Sequence, residues 1–404
     1  MRKLIAATLL WPAAALAGGY AISNENARDL ALSQSAVAAQ HGPEAVVMNT
    51  AALAGQTGLA VSGSVEMLAN KTAWSAPGQG SVETRDHVNF PPALSVAWGG
   101  KLGSMPYGVG AGFLVPGGGS LFWPDGWQGA QRIQSVDLRL YAMRAGAALE
   151  PIPGVKLGAA LVYYRITEEL VQQIDYVGTS GNATLGLSGG APSFSLSAEL
   201  RAPGIPLKLG IDYRHKGDLK LTGKAHFENV PPSFQPLLQD QGATESVTVP
   251  NELFVGLALQ ASDSLELMAS WNLERWSVYK ADTFVGDKGF SVSVPRDYKD
   301  AYVIRVGAEY GRSAALPGWT LRVGGLRSIS DQPTDTISPT LSDASSWAAS
   351  AGVGYDLGRG LRADLGYQYA WFDRVTASGV EAFPGSYKTT AHLLSVGLAW
   401  RLAR

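Results

Sequence analysis

The sequence predicts an all-β protein: a 14-stranded antiparallel transmembrane β-barrel with an N-terminal hatch, or plug, segment inside it. Three observations carry that expectation. The first residues read as an export signal, and no later stretch is apolar enough for a membrane helix. From Leu59 onward apolar residues recur at every second position. The connections between these segments alternate between short and long.

Met1-Arg2-Lys3 precedes an apolar run from Leu4 to Leu16, interrupted at Thr8 and Pro12, and then the small-residue site Ala15-Leu16-Ala17. A basic start, a short apolar stretch and small residues at the end are the parts of a secretory signal peptide, expected over residues 1–17. The run is too short to span a bilayer. No later segment offers the roughly 20 consecutive apolar residues a membrane helix needs, so any crossing must use strands. Composition agrees: 48 Gly, 11 Trp and 15 Tyr, with 16% of residues charged against about 25% in average soluble domains. Cysteine is absent, which excludes disulfides, thiol catalysis and Cys-ligated metals. Loss of Arg2 and Lys3 takes the formal net charge from -2 to -4. No long basic run points to a nucleic-acid partner. No His or carboxylate cluster has metal-ligand spacing, and no cofactor is expected.

Residues 18–57 do not alternate. Ala27 to Gln40 is rich in Ala, Leu and Ser and suits a short helix, with Gly42-Pro43 as its breaker. A barrel of 14 strands leaves an interior to fill or wet, and this hatch segment is placed there. A disordered periplasmic tail is the alternative, opposed by the mixed apolar content.

Residues 58–404 form the expected barrel. In the last segment His392, Leu394, Val396, Leu398, Trp400 and Leu402 share one face, and Ala391, Ser395, Gly397, Ala399 and Arg401 the other. Leu253 to Gln260 and Leu361 to Tyr369 split the same way: one greasy face, one small or polar face, as in a strand between lipid and lumen. Fourteen such segments begin near Leu59, Pro92, Tyr107, Arg132, Val155, Ser193, Leu207, Val247, Leu265, Asp300, Trp319, Ser346, Leu361 and Thr389. An even count brings both chain ends to one side.

Connections after even-numbered segments are short, such as Glu150 to Gly154, Ala202 to Pro206, Ala261 to Ser264 and Leu357 to Gly360. Those after odd-numbered segments are longer, such as Asn70 to Asn89, Asn229 to Ser246 and Asp331 to Ala344. Short periplasmic turns and long outer loops make this an outer-membrane layout for a Gram-negative bacterium. Trp98, Trp271, Trp276, Trp319, Tyr355, Trp371 and Trp400 suit aromatic girdles at strand ends. A secreted soluble all-β protein, the competing reading, would have shorter strands.

Several stretches resemble the long-chain fatty acid and hydrocarbon transporters of the outer membrane, the FadL and TodX group. The most specific is Tyr298-Lys299-Asp300-Ala301-Tyr302-Val303-Ile304-Arg305-Val306-Gly307-Ala308-Glu309-Tyr310, followed by Trp319 to Gly324. Val249-Pro250-Asn251-Glu252-Leu253 leading to Trp271 and Trp276-Ser277, Tyr213 to Asp218, and Asn24-Glu25 with Ala27-Arg28 add to it. The family's Asn-Pro-Ala hatch signature is matched by Asn49-Thr50-Ala51, without the proline. The stretch from Val171 to Pro192 is short where the family has a long outer loop with helices. The chain ends near Trp400 rather than on an aromatic, and recognition by the barrel assembly machinery would use that residue.

The resemblance implies a channel that lets hydrophobic small molecules, fatty acids or similar, diffuse passively and leave sideways into the membrane. The hatch residues would be Asn24, Glu25, Arg28, Asn49 and Ala51. Lateral exit would use a kink in the third strand, for which Gly108, Gly110 and Gly112 are the candidates, since Gly and Pro inside a strand mark a bulge or a break. The aromatics Phe122, Trp123 and Trp127 are candidates for outer capture, because exposed apolar clusters mark binding surfaces. A fatty-acid carboxylate would need a basic partner, with Arg165 first and Lys288 or Arg296 next; a neutral hydrocarbon would need none. Outer-membrane lipid and lipopolysaccharide are the surrounding partners. An outer-membrane lipid-modifying enzyme and a structural or adhesin barrel are the other classes. The first lacks a catalytic spacing among His41, His87, His215, His226 and His392, so no enzyme is expected. The second lacks very long loops.

Overall fold

Alternating faces only pay off energetically when every backbone group finds a partner in lipid, which a sheet achieves by closing on itself. The computed structural model does so, and describes residues 26–176, 179–236, 238–289, 291–330, 332–378 and 383–402; the expected signal peptide, Asn24 and Glu25 lie outside them. The wall strands are β1 (Gly58–Ala76), β2 (Pro92–Leu102), β3 (Met105–Phe122), β4 (Ser135–Ile152), β5 (Val155–Tyr176), β6 (Thr179–Arg201) and β7 (Leu207–Arg214). They continue as β8 (Glu252–Gln260), β9 (Leu265–Glu274), β10 (Ala301–Gly311), β11 (Trp319–Ile329), β12 (Ser346–Gly358), β13 (Leu361–Phe372) and β14 (Gly385–Arg401). Each pairs antiparallel with the next. β14 returns to β1 in register from Ala60↔Arg401 to Ser75↔Ser386, which closes a ring of 14. The start of β1 and the end of β14 meet on the short-turn side, where the Leu402 amide donates to the Leu59 carbonyl at 2.9 Å.

The faces sort as expected. Leu161 is 74% exposed and Val396 56%, on the lipid side, whereas Ser395 and Gly397 on β14 are buried toward the lumen. The six Trp and Tyr residues Trp98, Trp271, Trp319, Tyr355, Trp371 and Trp400 face outward; Trp276 is buried in a 3-10 turn and donates from Nε1 to Glu274 at 2.9 Å, so it belongs to no girdle.

Three strands depart from the expected bounds. β5 and β6 have 22 and 23 residues, about twice the 9–11 that cross a bilayer. The described residues 171–176 and 179–192 are therefore wall that continues outside the membrane. The segment expected from Val247 divides at Pro250, which has no N–H for a ladder: Gln241–Val249 belongs to an outer hairpin with Gly217–Phe227, and β8 starts at Glu252. That hairpin joins β6 through Thr222↔Ser188 and a second hairpin, Ala281–Gly286 with Ser291–Pro295, through Ala243↔Gly286.

The hatch fills the lumen. It contains α1 (Ala27–Ala31), α2 (Ala45–Met48) and a 3-10 segment (Thr50–Gly55), and every residue from Ala27 to Gln40 is buried. Helices this short are not stable alone. Side-chain caps help: Asn26 accepts from the Asp29 amide at 2.9 Å and Asn49 from the Ala51 amide at 3.2 Å. The wall supplies the rest by meeting the hatch with glycines. A methyl on Gly108 would lie 2.7 Å from the Leu53 carbonyl carbon, on Gly158 2.7 Å from that of Thr50, on Gly210 2.6 Å from the Val37 oxygen, and on Gly256 2.7 Å from Val37 Cβ.

Candidate functional site

The floor of the lumen is held by charge as well as shape. Arg28 of the hatch bonds Glu309 of β10 at 2.9 Å, and Arg322 of β11 bridges Glu309 and Asp364, each at 2.7 Å. Arg28 is 6% exposed and Arg322 2%, so removing one partner would strand a buried charge. Asn49 donates to the Val37 carbonyl at 2.9 Å and to Ala198 of β6 at 3.4 Å, and the Ala51 amide donates to Ser197 Oγ at 2.9 Å. Hatch and wall are thus joined at Asn49-Thr50-Ala51 without the signature proline.

Above the floor lies a cavity of about 130 Å³ between Gln34 of the hatch and the upper wall. One side is apolar, formed by Leu68, Leu326, Ala348, Ala370, Phe372 and Leu393. Its charged members are Arg305, Glu274 and Asp343. Arg305 is bonded to Asn272, and Glu274 accepts from Asn272 and Trp276, both at 2.9 Å.

The wall beside this cavity is interrupted. β3 and β4 pair regularly up to Leu114↔Ala142 and resume at Gly117↔Leu140, leaving Val115 and Pro116 opposite Tyr141 alone. On its other edge β3 pairs with β2 only as far as Phe113↔Leu94. Above that point β1 turns to Val88–Asn89 instead, through Leu68↔Asn89. A window opens between Pro92 and Phe113 below and Asn89 and Ser120 above, where Ser120 Oγ donates to Asn89 Oδ1 at 3.3 Å. It holds a second cavity of about 300 Å³, lined by Phe90, Pro91, Pro92, Val115, Leu138 and Tyr141 among others. Phe90 at its rim is 63% exposed on the lipid side. Leu68, Gly118 and Gly119 line both cavities, so the two adjoin at the bulge. Gly118 has φ +148, and a methyl there would lie 2.5 Å from the Leu138 carbonyl oxygen, so the kink requires glycine.

The break therefore lies at Val115 to Gly119 and not at Gly108, Gly110 and Gly112. Those three sit in unbroken ladders on both edges, and their missing side chains make room for the hatch: methyls on Gly110 and Gly112 would meet Leu53 Cδ1 at 3.3 Å and Val47 Cγ1 at 2.7 Å. Pro116 followed by three glycines was the local signal of the true position, since proline withholds a donor and glycine tolerates the bend.

The outer aromatics are also not where exposure would put them. Trp123 is 0% and Trp127 5% exposed, stacked at 4.1 Å and 10°. Trp123 Nε1 donates to the Pro339 carbonyl at 3.2 Å, and Trp127 meets Trp74 and Phe383 edge-on. Phe122, half-buried, ends β3 and packs on His87 at 4.6 Å. These rings close the outer mouth from within and present no exposed capture surface, because loops from distant strands fold over them.

None of the three candidate cations lines the cavity. Arg165 points outward from β5, on the face of Leu161 and Tyr163. Lys288 is exposed on an outer hairpin and donates to Gln239 and to the Asp240 carbonyl at 2.8 and 2.9 Å. Arg296 is 0% exposed and paired with Asp282 at 2.7 Å. Beside that pair, Glu245 of the outer hairpin faces Glu168; burial first, then the Glu168 charge, push the Glu245 carboxyl well above the usual carboxylate range.

The architecture has close counterparts. A FadL homologue of Pseudomonas aeruginosa superposes with a TM-score of 0.85 over 96% of this chain and 100% of its own, at 17% identity. The Ralstonia pickettii toluene transporter TbuX gives 0.71 over 95% and 100%, also at 17% identity. The P. putida toluene transporter TodX gives 0.72 over 93% and 99%, at 16% identity. A search of curated proteins finds no match. The family described as outer membrane protein transport protein (OMPP1/FadL/TodX) matches residues 8–402. Nearly the whole sequence answers to that family and the whole described fold to its solved barrels, so the chain belongs to the OMPP1/FadL/TodX family of outer-membrane transport proteins.

Proposed function

We propose that this barrel lets small, uncharged hydrophobic molecules diffuse passively across the outer membrane, leaving sideways through the window at Val115 to Gly119. The observation that carries the reading is the shared boundary of the two cavities: Leu68, Gly118 and Gly119 line both the inner chamber and the opening toward lipid. A solute in the chamber has apolar wall on the way out and a hatch, not a water column, beneath it. Transfer of apolar surface to the bilayer then drives release without an energy source.

The charge at the chamber favours a neutral solute over a fatty-acid carboxylate. Arg305 stands among two carboxylates, Glu274 and Asp343, and the other candidate cations lie outside or are paired. The solved relatives TbuX and TodX are toluene transporters, which agrees with that choice for this chain. A catalytic role has less support: His87, His215, His226 and His392 are engaged by Asn89, Tyr213, Asp240 and Tyr367 respectively.

The test is uptake by liposomes holding the purified barrel, with toluene, a long-chain fatty acid and a small sugar as probes. Toluene is expected to pass fastest and the sugar not at all. A Leu68→Arg variant, which places a charge in the neck, should abolish the toluene advantage. Equal passage of all three probes would mean an aqueous porin, and a fatty-acid advantage would refute the choice of a neutral solute.

A further inference from the structure

Arg165 faces outward beside Tyr141 of the window and so does not reach the inner chamber, yet it is not idle. It stands two residues above Tyr163 and four above Leu161 on the outward face of β5, and these are 43% and 74% exposed. Each pair of strand residues advances about 7 Å, so Arg165 sits just beyond the top of the lipid-facing band, on the side of the long loops. Its neighbour across the ladder is Gly190 of β6. Tyr163 leans into the space this glycine leaves: a methyl there would lie 2.7 Å from the Tyr163 ring carbon that bears the hydroxyl. Arg165 also donates to Ser188 Oγ at 3.5 Å.

On the far side of Gly190 the row continues into the outer hairpin. Ser188 pairs with Thr222, and Lys220, two residues before Thr222 and exposed on the same face, comes level with Gly190. Two cations thus flank a glycine about 10 Å apart, with a phenol and a serine hydroxyl between them. Other exposed cations of the outer wall are paired: Arg139 with Asp137 at 2.8 Å, Lys216 with Asp218 at 2.7 Å and Arg275 with Asp300 at 2.9 Å. Two rows up, Glu169 and Lys224 face one another across Gly186. Among the described residues neither Arg165 nor Lys220 has a carboxylate within 4.0 Å.

We propose that Arg165, Lys220 and the Tyr163 hydroxyl form an outward-facing site for a phosphate of lipid A, the phosphorylated glycolipid of the outer leaflet, with its acyl chains lying on Leu161, Phe194 and Leu196 below. The chemistry is that of an anion with several acceptor oxygens: a forked guanidinium, an ammonium and hydroxyl donors converge at the height where a lipid headgroup meets the hydrocarbon. The apolar residues beneath, 74%, 38% and 51% exposed, distinguish it from a site for free phosphate. The proposal is independent of what the barrel transports.

The experiment measures lipid bound to the purified full-length barrel in detergent by native mass spectrometry. Bisphosphorylated lipid A is compared with the same lipid stripped of phosphate, and inorganic phosphate is the competitor. The expected result is salt-sensitive binding of the phosphorylated lipid, weakened roughly tenfold or more in the Arg165→Gln, Lys220→Gln double variant. The dephosphorylated lipid should bind both proteins alike. Thermal melting without lipid checks that the variant folds, and an Arg139→Gln variant, altered at a paired cation nearby, should retain binding. Equal binding of the two lipids, unchanged binding in the double variant, or displacement by inorganic phosphate at similar concentration would each overturn the proposal.

Discussion

Replacing Gly108 with alanine should unseat the hatch. The added methyl would stand 2.7 Å from the Leu53 carbonyl carbon and 3.1 Å from Leu53 Cβ, where ordinary contact begins near 3.4 Å. The hatch backbone would therefore have to retreat by at least about 0.7 Å on that side while Gly158 and Gly210 press on Thr50 and Val37 from other strands. Overpacking of this kind costs about 1–3 kcal/mol, which raises the undocked population roughly 5- to 150-fold. Gly186→Ala is the control, since a methyl there meets nothing within 4 Å. The assay is protease cleavage between residues 26 and 57 in reconstituted barrels, read together with sugar leakage. The Gly108 variant should be cut faster and should leak, and the control should do neither. If Gly108→Ala protects its hatch as well as the control does, the close approach does not seat the hatch. If it blocks toluene while the hatch stays protected, the exit lies at Gly108 to Gly112 after all.

Trp123→Ala should open the outer mouth: removing a fully buried ring stacked on Trp127 costs about 3–5 kcal/mol, and loop residues 332–345 should become sensitive to external protease. Unchanged protection would place the closure elsewhere. Glu245→Gln should remove a pH dependence. The Glu245 carboxyl is raised in the folded state, so its stabilisation is complete below the ordinary carboxylate range and is lost as pH rises through the raised value; wild type should lose more melting temperature from acid to alkaline pH than the variant, by on the order of one group's titration, and equal losses would refute the assignment. His226 should titrate above an ordinary histidine, because the Asp240 carboxylate bonded to it at 2.6 Å holds its proton. That pairing is present in acid and lost as pH rises through the raised value; NMR titration of Asp240→Asn should return His226 to the usual midpoint, and an unmoved midpoint would refute the pairing.

Membrane-spanning wall was legible in the sequence because lipid imposes one rule on it. Within the bilayer the outer face must be apolar and the inner face small, so parity alone assigns Val396 and Leu398 outward and Ser395 and Gly397 inward. Turn residues such as Pro151 to Gly154 then separate the strands, and the count of 14 follows. Above the bilayer the rule reverses. There the lumen is filled by packed side chains such as Tyr164, Ile166 and Leu170, while the outer face carries Arg165 and Glu169. Both faces of one strand thus alternate correctly at different heights for opposite reasons, which is why Arg165, a carboxylate partner by resemblance, faces outward and why the described wall at 171–176 and 179–192 read as loop. The hatch residues were readable as a segment and not as a seat, because each of Gly108, Gly158 and Gly210 answers to a backbone atom far away in the chain. Position along a strand is a local property with a period of 2; which glycine meets the hatch, and where the ring leaves a window, depends on closure of the whole barrel and was decided only in three dimensions.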